Sequence, residues 1–193
     1  MRKWKKRSEA GDSRDARSGA RPGETNAPDT PFAYALRQLA RRAHSVAEIR
    51  RKLERKFGET ASIEQAIARL RELRYLDDQR FAEQQASSLV RNRAFGKHRV
   101  RQELKSRLVD YKHIEPALEQ AFEETDERQL LEKALDRKIR SLRLPATPRK
   151  IASLRASLMR LGFRADDIMK AVRSRPELKP VAEDLEIEDS AEQ

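Results

Sequence analysis

The sequence predicts an all-α protein built from three tandem three-helix, helix-turn-helix-like repeats. Three observations lead to this prediction: apolar residues recur every three or four positions, glycine and proline are scarce in the body of the chain, and one apolar spacing occurs three times. Only 37% of the residues are hydrophobic, so each repeat can bury only a small core. We therefore expect an elongated, curved body.

The repeated spacing separates apolar residues by four, ten and four positions. It occurs at Ile49, Leu53, Ile63 and Ile67, again at Val100, Leu104, Ile114 and Leu118, and again at Leu154, Leu158, Ile168 and Val172. Residues four apart share a helix face, and the ten-residue interval accommodates a turn and the start of the next helix. Fourteen positions before the second residue of each set another apolar residue, Leu39, Val90 or Leu144, marks a further amphipathic segment. Each repeat is thus predicted to hold three helices, nine in all.

Capping patterns predict where these helices begin and end. Three N-termini are predicted by capping residues: Ser45 with Glu48, Ser62 with Gln65, and Thr147 before Pro148. A fourth helix is predicted to start at Thr125, Asp126 and Glu127. Gly58 and Gly162 suit left-handed turns, and Pro116 is expected in the first turn of its helix.

The chain divides into five predicted segments. Helical repeats are expected at residues 31–82, 83–124 and 125–175. Residues 1–30 form a basic extension, which contains Trp4, and residues 176–193 form an acidic tail. Both terminal segments lack helical periodicity, so we expect them to be disordered.

Charge is distributed unevenly along the chain. The net charge is +11 overall, with +3 in residues 1–30 and −6 in residues 176–193, which leaves +14 in residues 31–175. A body this basic attracts polyanions, so nucleic acid or a nucleoprotein is the expected partner. Ordinary solvated helix faces rich in Lys and Arg are the alternative explanation.

Several classes of function and location are not supported by the sequence. There is no cysteine, and His44, His98 and His113 lack metal-ligand spacing, so no metal site is expected. No phosphate-binding glycine loop or nucleophile motif occurs. Asp77 and Asp78 are adjacent and so do not face each other on a helix, and Asp77 is expected to be an N-cap, so no catalytic residue is assigned. No run of about 18 apolar residues is present. A non-enzymatic cytoplasmic protein that does not enter a membrane is the expectation.

Residues 75–82 read YLDDQRFA, which resembles the YLDD-x-x-FA signature of the RecX family. Similarity extends to Ser45-x-x-Glu48-Ile49-x-x-x-Leu53 in repeat one, to Arg91 and Gly96 at the start of repeat two, and to Glu103-Leu104 and Ile114-x-x-Ala117-Leu118. The resemblance covers about residues 32–174. One departure is Leu108-Val109, where the family usually has Gly and an aliphatic residue, so the turn is expected to shift to Asp110.

The resemblance implies a non-catalytic cytoplasmic regulator of the RecA recombinase in homologous recombination, DNA repair and the SOS response. Such a protein binds in the groove of the RecA filament on DNA and inhibits strand exchange, ATP hydrolysis and coprotease activity. The resemblance also implies that the protein has no cofactor. Its structural signature corresponds here to Tyr75, Leu76, Asp77, Asp78, Phe81 and Gly96.

Basic side chains beside the apolar stripes are the candidate contacts to the filament or to single- or double-stranded DNA. They are Arg50, Arg51, Arg55 and Lys56 in repeat one, and Arg91, Arg93, Lys97, Arg99, Arg101, Lys105 and Arg107 in repeat two. Tyr75, Leu76 and Phe81 are expected in the core at the junction of the first two repeats. The chain is expected to be a monomer.

A helix-turn-helix DNA-binding protein or transcription regulator is the competing hypothesis. Three helical triplets and a basic charge are compatible with it. The third helix of repeat one offers Arg69, Arg71 and Arg74 but no cluster of Asn or Gln for reading bases. Sequence-specific DNA affinity would favour this alternative.

Overall fold

The computed structural model describes residues 29–123, 125–144 and 146–179. Within these ranges the chain forms nine α-helices, one short 3-10 helix and no strand, which confirms the all-helical prediction. The helices are α1 Pro31–Arg41, α2 Val46–Phe57, α3 Thr60–Glu72, α4 Asp78–Arg93, α5 Lys97–Ser106, α6 Tyr111–Glu123, α7 Glu127–Arg140, α8 Pro148–Arg160 and α9 Ala165–Arg173, followed by the 3-10 helix Pro176–Leu178. The predictions for residues 1–28, including Trp4, and for residues 180–193 lie outside the described residues.

The apolar spacing correctly identified the core. All twelve residues of the three sets are buried. They form two clusters rather than three separate cores: α1–α3 surround one, and residues from Phe81 to Leu178 share the other. Repeats two and three are therefore joined by one continuous core, and repeat one packs around its own. Leu144 is an exception to the pattern, because it lies in the α7–α8 connection and is exposed.

Three of the predicted helix starts are confirmed and one is wrong. Ser45 and Thr147 both cap their helices, Ser45 within a complete capping box. Helix α3 already begins at Thr60, and Ser62 donates from inside it to the carbonyl of Glu59. The fourth predicted start is confirmed, since Asp126 is the N-cap of α7 and Glu127 is its first residue.

Pro116 does not lie in the first turn of its helix. Helix α6 begins at Tyr111, which makes Pro116 its sixth residue. The early start is fixed by Asp110, whose side chain accepts from the backbone N–H of Lys112 and whose carbonyl accepts from that of His113. Because the nitrogen of Pro116 carries no hydrogen, α6 lacks one backbone hydrogen bond at this position.

Two predicted segment boundaries require correction. Helix α4 begins at Asp78 with Asp77 as its N-cap, so the boundary after residue 82 falls inside a helix, and the second triplet starts at Asp77. The Asp77 carboxylate accepts from the backbone N–H of Arg80 at 3.0 Å. At the other end, Leu178 is buried in the shared core, so the third repeat continues beyond residue 175.

Tyr75 is not a core residue, although Leu76 and Phe81 are. Its exposed fraction is 57%, compared with 3% for Leu76 and 6% for Phe81. Arg74 adopts a left-handed conformation with φ 56°, and the backbone N–H groups of Tyr75 and Leu76 both donate to the carbonyl of Leu70. This tight reversal directs Leu76 inward and leaves Tyr75 outside.

The turn of repeat two has not shifted to Asp110. Leu108 itself occupies the left-handed region with φ 57°, although its side chain makes this conformation costly. Gly162, at the matching place in repeat three, has φ 91°. The two repeats thus make the same kind of turn with different residues.

Replacing Arg74 with glycine is expected to raise the free energy of unfolding by about 0.5–1 kcal/mol, because glycine adopts a left-handed conformation without steric cost. Arg74 is exposed, so little packing is lost. The matched variant Arg71→Gly, at an exposed position within α3, should instead lower the free energy of unfolding by about 1 kcal/mol. Urea denaturation measures both changes, and the same sign in both variants would contradict the prediction.

Candidate polyanion-binding surface and the junctions between repeats

Buried hydrogen bonds connect repeat one to repeat two. The fully buried Ser45 hydroxyl donates to the carbonyl of Arg107 at 2.6 Å. The backbone N–H of Val46 donates to the carboxylate of Asp78 at 2.8 Å. Asp78, one of the signature residues, therefore joins the two repeats.

Glu48 is the centre of a polar cluster at this junction. Its carboxylate accepts from Arg42 at 3.0 and 3.1 Å and lies 3.1 Å from the Nδ1 atom of His44. Arg107 reaches it from repeat two at 3.4 Å. Burial by itself would raise the pKa of Glu48, but the hydrogen bond from Arg42 and the positive charges of Arg42 and Arg107 lower it overall. The carboxylate thus remains ionised and holds both repeats.

Acid is expected to weaken this junction through His44. Burial of the ring, aided by the charge of Arg42, lowers the pKa of His44 below its ordinary value of 6.5. The unfolded chain therefore binds this proton more readily than the folded chain, so the stabilisation is complete above pH 6.5 and is lost as the pH falls below it towards the folded-state pKa. The lowered pKa of Glu48 acts in the same direction at more acidic pH.

The free energy of unfolding of the wild-type protein, measured with urea, should be lower at about pH 5.5 than at about pH 7.5. In His44→Asn this decrease should be smaller, because the substituted side chain does not titrate. The matched control His98→Asn, at an exposed position, should keep the wild-type decrease. An equal loss in His44→Asn and wild type would refute the role of His44.

Backbones from repeats two and three approach closely at two glycines. The N–H of Gly96 donates to the carbonyl of Leu161 at 2.9 Å, and the next N–H, that of Lys97, donates to the carboxylate of Glu127 at 2.8 Å. A Cβ atom on Gly96 would lie 2.6 Å from the carbonyl oxygen of Gly162. The signature residue Gly96 is therefore required by the packing of the two repeats.

Five of the eleven predicted contact residues form ion pairs with carboxylates among the described residues. The pairs are Arg50 with Glu64 at 2.8 Å, Lys56 with Asp29, Arg99 with Glu103 at 2.6 Å, Arg101 with Glu115 at 2.7 Å, and Arg107 with Glu48 at 3.4 Å. The two hydrogen bonds from Arg101 raise its pKa and lower that of Glu115. These pairs leave less positive charge available for a partner than the sequence indicated.

The other six predicted contact residues lie at exposed positions. They are Arg51 and Arg55 on α2, Arg91 and Arg93 on α4, and Lys97 and Lys105 on α5. Lys97 also places its ammonium group 5.3 Å from the ring centre of Phe122. Their position on two different repeats means that a partner contacting both sets would have to span the junction.

The positive charge is concentrated in a repeat that the sequence reasoning did not select. Residues 31–76 hold eleven Lys or Arg and five Asp or Glu, for a net charge of +6. Residues 77–126 hold nine Lys or Arg and ten Asp or Glu, for a net charge of −1. Residues 127–175 hold fourteen Lys or Arg and five Asp or Glu, for a net charge of +9. The sequence alone is sufficient to calculate the net charge of each repeat. In repeat two the basic run in residues 91–107 is offset by the acidic residues that follow it.

Residues 29–123, 125–144 and 146–179 contain neither a cluster of metal-ligating side chains nor a membrane-spanning helix. No group of His, Cys, Asp or Glu side chains there could hold a metal ion. No helix in the same ranges is both long and apolar enough to cross a membrane.

Comparison with known proteins connects this architecture to a family. A family model described as the first three-helix domain of RecX matches residues 32–70, and one described as the second matches residues 77–118. The regulatory protein RecX of Chlorobaculum tepidum is 36% identical over 141 residues, which span 72% of this chain and 84% of that protein. The chain belongs to the RecX family.

Other RecX proteins agree in sequence and fold. The regulatory protein RecX of Trichlorobacter lovleyi is 31% identical over 143 residues, covering 74% of this chain and 93% of that one. The crystal structure of RecX from Lactobacillus salivarius superposes with a TM-score of 0.64 at 18% identity, covering 75% of this chain and 93% of that one. The second RecX domain begins at residue 77, which coincides with the N-cap of α4.

Proposed function

We propose that this RecX-family chain is a non-catalytic regulator that binds the RecA filament on DNA. It lowers the recombinase, ATPase and coprotease activities of RecA in DNA repair and the SOS response. It acts in the cytoplasm as a monomer and needs no cofactor. The observation that carries the proposal is the 36% identity to a protein named regulatory protein RecX, over 84% of that protein's length.

The charges and junctions of the fold support this proposal. A nucleoprotein filament presents repeated phosphate groups, and the basic repeats one and three can approach them on either side of a nearly neutral repeat two. Buried polar bonds from Ser45 and Glu48 hold repeat one against repeat two. This arrangement is suited to contacting more than one part of an extended partner.

The single-stranded-DNA-dependent ATPase rate of RecA, titrated with the full-length chain, tests the proposal. We expect inhibition at far less than one molecule per RecA, together with binding to preformed filaments. Absence of inhibition, or inhibition only when enough protein is present to coat the DNA, would refute it.

A charge-neutralised variant locates the contact. The filament variant, Arg51→Gln with Arg55→Gln and Lys105→Gln, removes three exposed cations from α2 and α5. It should require several-fold more protein for half-maximal inhibition. Unchanged inhibition would leave the function intact but would remove these residues from the contact.

The helix-turn-helix alternative is less compatible with the side chains of α3. Arg69 lies over the ring of Phe32 at 4.8 Å, which occupies one of the three arginines available for reading bases. Arg74 lies beyond the end of α3, in a left-handed turn. Strong preference for one DNA sequence in a binding assay would revive this alternative.

A further inference from the structure

Helix α7 presents three chemically distinct faces. Leu131 and Leu135 belong to the buried core, and Glu132 and Asp136 lie on a second side. The third side carries exposed cations at positions four and three residues apart, Lys133, Arg137 and Arg140. At 100° per residue these three lie within a 60° arc of the helix.

The acidic face of α7 is already neutralised from within repeat three. Arg175 approaches Glu132 at 2.5 Å and Asp136 at 2.7 Å. One arginine from the end of the repeat thus occupies both carboxylates of the helix. Those acidic groups consequently do not pair with the basic face.

Further exposed cations follow α7 along the chain, in the α7–α8 connection and in the first turn of α8. Arg143 lies exposed in the connection, and Arg149 lies exposed in that first turn. The Lys150 ammonium group donates to the carbonyl of Arg143 at 2.8 Å, which holds the connection against α8. We call this set the α7–α8 basic surface: Lys133, Arg137, Arg140, Arg143 and Arg149.

Within the described ranges, none of these five side chains forms an ion pair. The contrast with repeat two is clear, because Arg99 and Arg101 are each held by a glutamate of that repeat and Arg107 is held by Glu48 of repeat one. Cations at the C-terminal end of α7 are favoured by the helix dipole, which accounts for Arg137 and Arg140. The dipole does not account for Arg149, which stands at the positive end of α8.

We propose that the α7–α8 basic surface binds the phosphodiester backbone of DNA directly. Several unpaired cations on one helix face and an adjoining turn gain affinity by releasing counterions from the phosphates. The contact positions the chain on nucleic acid without reading its sequence. It deepens the proposed filament regulation, but the affinity itself requires no RecA.

Fluorescence anisotropy of a labelled 30-nucleotide single strand, without RecA, tests this surface in the full-length chain. The surface variant is Arg137→Gln with Arg140→Gln and Arg143→Gln. At about 100 mM salt its affinity should be at least about tenfold below that of the wild type. The slope of log affinity against log salt should also be shallower by about 2, because each lost phosphate contact removes about 0.7.

The matched control is Arg41→Gln with Arg71→Gln and Arg80→Gln, which also removes three exposed positive charges but lies outside both sets of proposed contacts. It should bind the strand within about threefold of wild type with an unchanged salt slope. If both variants lose the same affinity, the effect is one of net charge alone and the proposal is overturned. The proposal is also overturned if the surface variant binds with wild-type affinity, or if the wild type does not bind the strand at about 50 mM salt.

Folding and RecA inhibition are measured separately on the same proteins. If the surface variant has a lowered thermal midpoint, the double variant Arg140→Gln with Arg143→Gln replaces it, and it should still lose several-fold in affinity. Failure of the proposed function appears as absent ATPase inhibition by the wild type. Failure of this inference appears in the assay without RecA, so the two results are distinguishable.

Discussion

Replacing Gly162 with alanine is expected to lower the free energy of unfolding by about 3 kcal/mol or more. Two costs add at this position. The residue has φ 91°, where a side chain is strained, and a Cβ atom would lie 2.3 Å from the backbone nitrogen of Arg99 and 2.4 Å from its Cβ. The backbones of repeats two and three would have to separate to accommodate it. Urea denaturation followed by circular dichroism measures the loss.

Gly58 provides the matched control for this substitution. It also has a positive φ, 69°, but nothing lies within 4 Å of its added Cβ. Gly58→Ala should therefore lower the free energy of unfolding by only about 1 kcal/mol, the cost of the backbone conformation alone. If the two variants lost equal stability, close packing between repeats two and three would not be the cause.

The three-helix repeats were predictable because their signal is local and periodic. Spacings such as Ile49 to Leu53 place two side chains on one helix face, and burial of such a face is what stabilises a short helix in a folded protein. Capping by Ser45 and Thr147 is also local, since each side chain bonds within its own first turn. Both kinds of prediction were confirmed.

Predictions failed where the backbone conformation of a turn or the end of a helix decides whether a side chain is buried. Tyr75 is exposed because the left-handed turn at Arg74 rotates it away from the junction, and no glycine marks that turn. Leu144 satisfies the apolar spacing but follows the end of α7, so no helix places it in the core. Periodicity alone cannot identify where a helix has already ended.

The candidate site was predictable in residue type but not in availability. Arg101 and Arg107 are basic residues on helices, as expected for polyanion contact, yet Glu115 and Glu48 hold them. The Glu48 partner is 59 residues distant in sequence, and no local pattern connects the two. The charge of each repeat, by contrast, was available from the sequence and identifies repeat three as the most basic.

Replacing Ser45 with alanine is expected to lower the free energy of unfolding by about 2–4 kcal/mol. The hydroxyl has two functions: it accepts from the backbone N–H of Glu48 as a helix cap, and it donates to the carbonyl of Arg107 across the junction. Loss of the cap costs about 1 kcal/mol. Leaving the Arg107 carbonyl unpaired beside a fully buried residue adds about 1–3 kcal/mol.

Thr147→Ala separates these two contributions. Thr147 caps α8 as Ser45 caps α2, since its hydroxyl accepts from the backbone N–H of Lys150, but it is exposed. Its loss should cost about 1 kcal/mol, the value of a cap alone. Any excess in Ser45→Ala then measures the hydrogen bond between repeats one and two. If urea denaturation gives the same loss for both variants, that bond does not stabilise the junction, and the contact between the two repeats must depend on Glu48 and Asp78 instead.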